Sequence, residues 1–96
     1  MANSGHNTSA QPKGGPTTSE LAALRERLAE IEHLQWCDWS KAVAESERVS
    51  PERLAAWSRR WVPYAELAEA DKDLDRVYAD MVLVALHEST NKEARR

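Results

Sequence analysis

The side chains best suited to hold something small are His33, Trp36, Tyr64, Lys72, Asp75 and Arg76, with Trp61 and Cys37 close to them in the chain. His33 and Trp36 are three residues apart and so share one face of a helix. There the imidazole could donate to a ligand while the indole stacks on it. The same pair could instead serve the fold, His33 hydrogen-bonding internally while Trp36 fills the core. Lys72 and Arg76 are four apart, flanked at the same spacing by Asp71 and Asp75. This quartet is either a lattice of surface ion pairs or a charged rim beside Tyr64. In the second case Arg76 would grip a phosphate or carboxylate through two parallel N–H bonds.

Other chemistry finds less support. A metal would have to draw on Cys37, His33, His87 and carboxylates. Cys37 and His33 lie four apart on one helix, but no Cys-x-x-Cys or His-Glu-x-x-His is present, so no metal site is expected. All three glycines fall within the first 15 residues, which removes a Gly-rich phosphate loop. Nothing marks a nucleophile paired with a base. The expectation is a non-enzymatic protein without a cofactor.

The elements that position these residues read as helices. Thr17-Thr18-Ser19-Glu20 has the form of a capping box. Leu21, Leu24, Leu28 and Ile31 then recur at three and four, a helical stripe, which rolls onto Trp36, Trp39 and Val43. A continuous helix here is about 28 residues and about 40 Å long, so it either bends near Trp39-Ser40 or overhangs the body. Ser50-Pro51-Glu52-Arg53 starts a second helix, with Ser as cap and Pro in the first turn. It carries Leu54, Trp57 and Trp61 on one side and stops before Pro63. After the Pro63-Tyr64 turn, acidic residues crowd the start of a third helix, as the macrodipole favours. Its expected buried stripe is Leu74, Val77, Tyr78, Met81, Val84 and Ala85.

The predicted architecture is mainly α: three helices at about 19–47, 51–60 and 68–88 around a Val-Pro-Tyr turn. One helical domain over 19–90 sits between a disordered tail over 1–18 and a polar tail over 91–96. The four Trp and two Tyr, in a chain with no Phe, are a means of building a core from few residues.

Charge and cysteine usage narrow the partners. From Glu20 to Glu88 there are 15 carboxylates against nine Lys and Arg, so the centre is more acidic than the net charge of −3. A duplex-DNA binder is therefore not expected. A lone Cys37, no basic-then-apolar leader after Met1 and no long apolar run predict a soluble cytoplasmic protein that does not enter a membrane. The Leu21, Leu24, Leu28 and Ile31 edge is a candidate seam for a homo-oligomer, unless it packs within the chain.

Three segments together resemble a known family. His33-x-x-Trp36, then Val62-Pro63-Tyr64-x-Glu66-Leu67, then Asp71-Lys72-x-x-Asp75-Arg76 are similar to the RyR domain. That repeat was first named from ryanodine receptors and is found also in small bacterial and phage proteins. The likeness covers roughly residues 20 to 88 and is most specific in its last third. A capped helix, Ser50 to Arg60, stands where the family has a Gly-Trp-x-Tyr-Gly segment with short strands. The resemblance implies a small-ligand module for a nucleotide or nucleotide-derived signal, working as a sensor or sequestering protein. It points to His33, Trp36, Tyr64, Lys72, Asp75 and Arg76. In that reading Trp36, Trp61 or Tyr64 stacks on the base, Lys72 and Arg76 meet the phosphate, and Asp75 orients Arg76. The signature residues could instead serve only to lock the two helices together, through an Asp-to-His or Arg-to-Trp contact. The alternative function is a protein–protein interaction module of phage or bacterial conflict systems, acting through the Leu21–Ile31 stripe or an exposed Trp face.

Overall fold

A computed structural model describes residues 15–94. Most of the expected disordered tail, up to Gly14, and the final Arg95 and Arg96 lie outside the described residues. Among the described residues the chain is mainly helical, with three α-helices and no strand.

The first helix, α1, spans Thr18–Ser46. Its capping box closes as the sequence predicts. Glu20 N–H donates to Thr17 Oγ1 at 3.1 Å, and Thr17 N–H donates to Glu20 Oε1 at 2.8 Å. The helix is uninterrupted through Trp39-Ser40 and ends where Glu47 turns extended. The second, α2, spans Pro51–Ser58, with Ser50 Oγ accepting from Arg53 N–H at 3.1 Å. It stops two residues short of the expected Arg60, because Arg59 and Arg60 tighten into a turn that leads to Pro63. A single 3₁₀ turn, Tyr64–Glu66, follows.

The third helix, α3, spans Glu69–Ala94 and so continues six residues beyond the expected end at 88. The segment read as the start of a polar tail is helical because nothing in it breaks a helix. It holds no Gly or Pro, Thr90 Oγ1 donates to the Leu86 carbonyl at 3.0 Å, and Asn91 Nδ2 lies 3.1 Å from His87 Nε2. Lys92 in the last turn also suits the negative end of the helix dipole.

α1 and α3 pack side by side, with the 3₁₀ turn against α1. The molecule is elongated, 61 × 35 × 21 Å along its principal axes. Its buried apolar residues are Ala29, Cys37, Tyr64, Leu67 and Ala79, supported by Leu28 and Val62. Ala29 and Ala79, at 0% and 1% exposure, let the two long helices approach closely.

The packing corrects the expectation for α3. Leu74, Val77, Tyr78, Met81 and Val84 are not buried; they are 51–61% exposed, and Ala85 is exposed too. The face turned to α1 carries Asp75, Arg76, Ala79 and Leu83 instead, on the opposite side of a 3.6-residue helix. α1 behaves likewise. Its buried or half-buried row is Glu26, Ala29, His33, Cys37 and Ser40, at steps of three and four. Leu21, Leu24 and Ile31 stay 38–40% exposed, and of that stripe only Leu28 joins the core. The helices meet through small and polar side chains because only these allow close approach and cross-helix hydrogen bonds. The bulky stripes are left outside. The Trp set also builds less core than expected: none of the four is fully buried, and Trp39 is 57% exposed.

Candidate functional site

The polar residues singled out by the sequence converge between α1, the 3₁₀ turn and α3. His33, at 3% exposure, is held at both ring nitrogens. Nε2 lies 2.7 Å from the Val62 carbonyl, an acceptor, so Nε2 carries a proton and donates it there. Nδ1 faces Asp75 Oδ2 at 3.6 Å. Burial pushes the Asp75 carboxyl above its ordinary range, while the neighbouring imidazole works in the other direction. The expected Asp-to-His contact across the helices is therefore present.

Arg76 is gripped by three carboxylates. Its Nε and Nη2 donate to the two oxygens of Glu26 at 2.8 and 3.0 Å, a parallel pair. Its Nη1 donates to Glu69 at 2.9 Å and Asp73 at 2.8 Å. Tyr64 Oη donates to the same Glu26 at 2.8 Å. The Arg76 hydrogen bonds hold the Glu26 carboxyl below its usual range, and burial together with the Glu26 contact pushes the Tyr64 phenol up to about 12. Asp75 does not orient Arg76 as expected. Adjacent positions on a helix point about 100° apart, so Asp75 serves His33 while Arg76 reaches Glu26.

The remaining predicted residues border this joint. Trp36 stacks on His33 (centroids 6.2 Å apart, planes at 18°), and its other neighbours are Trp57 and the Arg60 guanidinium, 4.8 Å from its ring. The Arg-to-Trp contact thus comes from Arg60, in the turn that follows α2. Lys72 Nζ sits 5.5 Å from the Tyr64 ring centroid and 3.4 Å from Glu69. Trp61 lies apart from the joint, donating Nε1–H to Ser40 Oγ at 2.9 Å beneath Lys41.

Of the side chains nominated for a ligand, His33, Trp61, Tyr64, Lys72, Asp75 and Arg76 each already face a polar partner inside the chain. Glu26, Ser40, Arg60 and the Val62 carbonyl were not nominated. Glu26, His33 and Ser40 are spaced by seven, two helical turns, and that repeat was the available signal.

Cys37 Sγ lies 3.4 Å from His33 Nε2, so Cys37, His33 and Asp75 stand in the order of a thiol triad. Nε2 is committed to Val62, however, and burial raises the Cys37 thiol. The arrangement offers neither a free base nor a thiolate. Among the described residues no group of three or more His, Cys, Asp and Glu side chains could hold a metal, and no helix is long and apolar enough to cross a membrane.

The open space lies elsewhere. An apolar groove of about 540 Å³ runs between the start of α1 and the end of α3, lined by Leu21, Leu24, Leu83, Val84 and Leu86. No protein-family model matches the chain, and no curated protein or solved structure is significantly similar to it.

Proposed function

We propose that this chain is a non-enzymatic, cytoplasmic protein-interaction module whose contact surface is the outer face of α3. One observation carries the reading: Leu74, Val77, Tyr78, Met81 and Val84 stand 51–61% exposed on a single side of one helix. Contiguous apolar patches of this kind mark interaction sites. Fully burying one Val, Leu or Met side chain contributes about 1.5–3 kcal/mol. Covering five that are about half exposed would therefore add roughly 4–8 kcal/mol. That is comparable with the whole stability of a small domain.

The test is a photo-crosslinking amino acid at position 78 in the full chain inside cells, with a second at exposed Glu45 as control. A discrete protein adduct from position 78 and none from position 45 is expected. Reaction with solvent alone at both positions overturns the reading.

A second reading, a nucleotide-binding RyR-like domain, is favoured by the aromatic end of the molecule. Trp39, 57% exposed, leans on Trp57 with centroids 5.7 Å apart, and the Arg53 guanidinium lies 6.0 Å from the Trp57 ring. A planar base could stack on Trp39 with its phosphate toward the nearby cations. In this reading the joint of His33, Tyr64, Asp75 and Arg76 supports the site from behind. Calorimetry of the folded chain against a nucleotide panel decides it: heat that disappears in Trp39→Ala supports it, and no heat from any nucleotide removes it.

A further inference from the structure

We infer that the occupant of the α3 face is a second copy of this chain, running antiparallel about a two-fold axis midway between Val77 and Met81. This rests on the interaction reading above and specifies its partner.

The first support is the pattern. Ala70, Leu74, Val77, Met81 and Val84 alternate steps of four and three, the seam of two facing helices. The band runs about 21 Å from Ala70 to Val84 at 1.5 Å per residue. Between Ala70 and Ala85 no charged side chain interrupts it, since the charges within those bounds fall on the inner face and flanks of α3; Glu88, in line with Met81 and Val84, closes the row at its far end. Val84 also lines the apolar groove, so band and groove form one continuous surface.

The second support is the thinness of the core. The two long helices meet through a row of Glu26, Ala29, His33, Cys37 and Ser40, and among the described residues only five apolar ones are buried. A fold this dependent on its outer face needs a cover wherever it folds, and another copy is always at hand. Two hairpins joined through α3 give a four-helix arrangement, a stable solution for apolar helical faces. The same patch on both copies satisfies an isologous dimer.

The third support is charge. Between Glu69 and Asp80 there are five carboxylates against two cations, whereas between Met81 and Lys92 the charged residues are Glu88 and Lys92, one of each sign. A parallel pair would set acidic start against acidic start. An antiparallel pair sets that acidic start against the nearly neutral end of the other copy, with Glu66 at the level of Lys92, and it also opposes the helix dipoles favourably.

Sedimentation of the purified full chain at micromolar concentration should give twice the 10.8 kDa of one chain. The melting temperature should rise with protein concentration, as mass action requires. Met81→Glu should weaken association at least a hundred-fold. Should Met81→Glu fail to fold, a milder test remains. On oxidation, an equimolar mixture of Val77→Cys and Met81→Cys chains should cross-link to a dimer far faster than either variant alone; Cys37 is buried and takes no part. A monomer at every concentration, with melting independent of concentration, overturns the inference. Rapid cross-linking of each variant with itself overturns the antiparallel arrangement. A monomer in solution combined with an adduct of foreign mass from position 78 overturns the second copy and leaves the interaction reading standing.

Discussion

α3 carries two faces that solve opposite problems. Its inner face buries ionisable groups and gives each a partner: Asp75 to His33, and Arg76 to Glu26, Glu69 and Asp73. Its outer face leaves bulky apolar side chains in water with no partner in the chain. In an ordinary small domain the assignments are reversed, apolar inward and charged outward. The inversion shows where this molecule's specificity and its unspent burial energy reside. The inner joint fixes how α1 and α3 meet, because charged hydrogen bonds are geometrically exacting. The outer face supplies little to the isolated chain and much to an assembly.

The largest effect should come from breaking the inner face. Arg76→Leu leaves Glu26 beside Tyr64 without its cation and should cost about 3 kcal/mol, taking hydrogen bonds to charged groups at about 1.5–3 kcal/mol. Thermal melting by circular dichroism should fall by about 12–24 °C, at about 4–8 °C per kcal/mol for a domain of this size. Arg76→Lys should recover only part of that, since an ammonium cannot make the parallel pair.

Next in size is the outer face, where the comparison is open to a direct break. Met81→Asn should cost about 2 kcal/mol in the wild-type assembly, close to the burial of one such side chain. A change within about 0.5 kcal/mol, the usual range for a surface position, would show that the face remains bare in solution.

Tyr64→Phe tests a single bond of the joint. Loss of one hydrogen bond to Glu26 should cost about 1 kcal/mol. Absorbance titration should lose the phenol that ionises near pH 12. The folded value lies above the ordinary 10, so the stability linked to this group is present below pH 10 and lost as pH rises through about 12.

The acid limb should respond most gently. Arg76 holds the carboxyls of Glu26 and Glu69 below the ordinary 4.5, and Arg25 holds Asp80 below 3.8. Groups depressed in this way contribute stability above their unfolded values and lose it as pH falls through the folded ones. Asp75, raised by burial, acts in the other sense. Stability should therefore decline below about pH 4.5. The decline should be shallower in Arg76→Leu, where two of the three depressed groups lose their main cause.

Much of the fold was legible in the residues. Thr17 and Glu20 mark one helix start, Ser50 and Pro51 another, and Pro63 a stop, because caps and prolines act on backbone groups within a turn of themselves. The candidate joint was legible in its members: His33, Trp36, Tyr64, Asp75 and Arg76 do come together. Their partners were not. Glu26 carries no such mark, since nothing local to it shows that Arg76 will arrive from 50 residues away. The Leu74 to Val84 stripe was read as core, because periodicity identifies an apolar face and says nothing about what covers it.

By itself, then, the sequence determined the three helices, the caps that start the first two and the turn between the second and third, all of which depend on interactions a few residues in range. Only the tertiary structure decided which face of each long helix turns inward. Ala29 and Ala79 permit close approach, and the Glu26–Arg76 and His33–Asp75 pairs reward it. Those terms couple residues far apart in the chain, and they outweighed the apolar stripes that the local pattern placed at the centre.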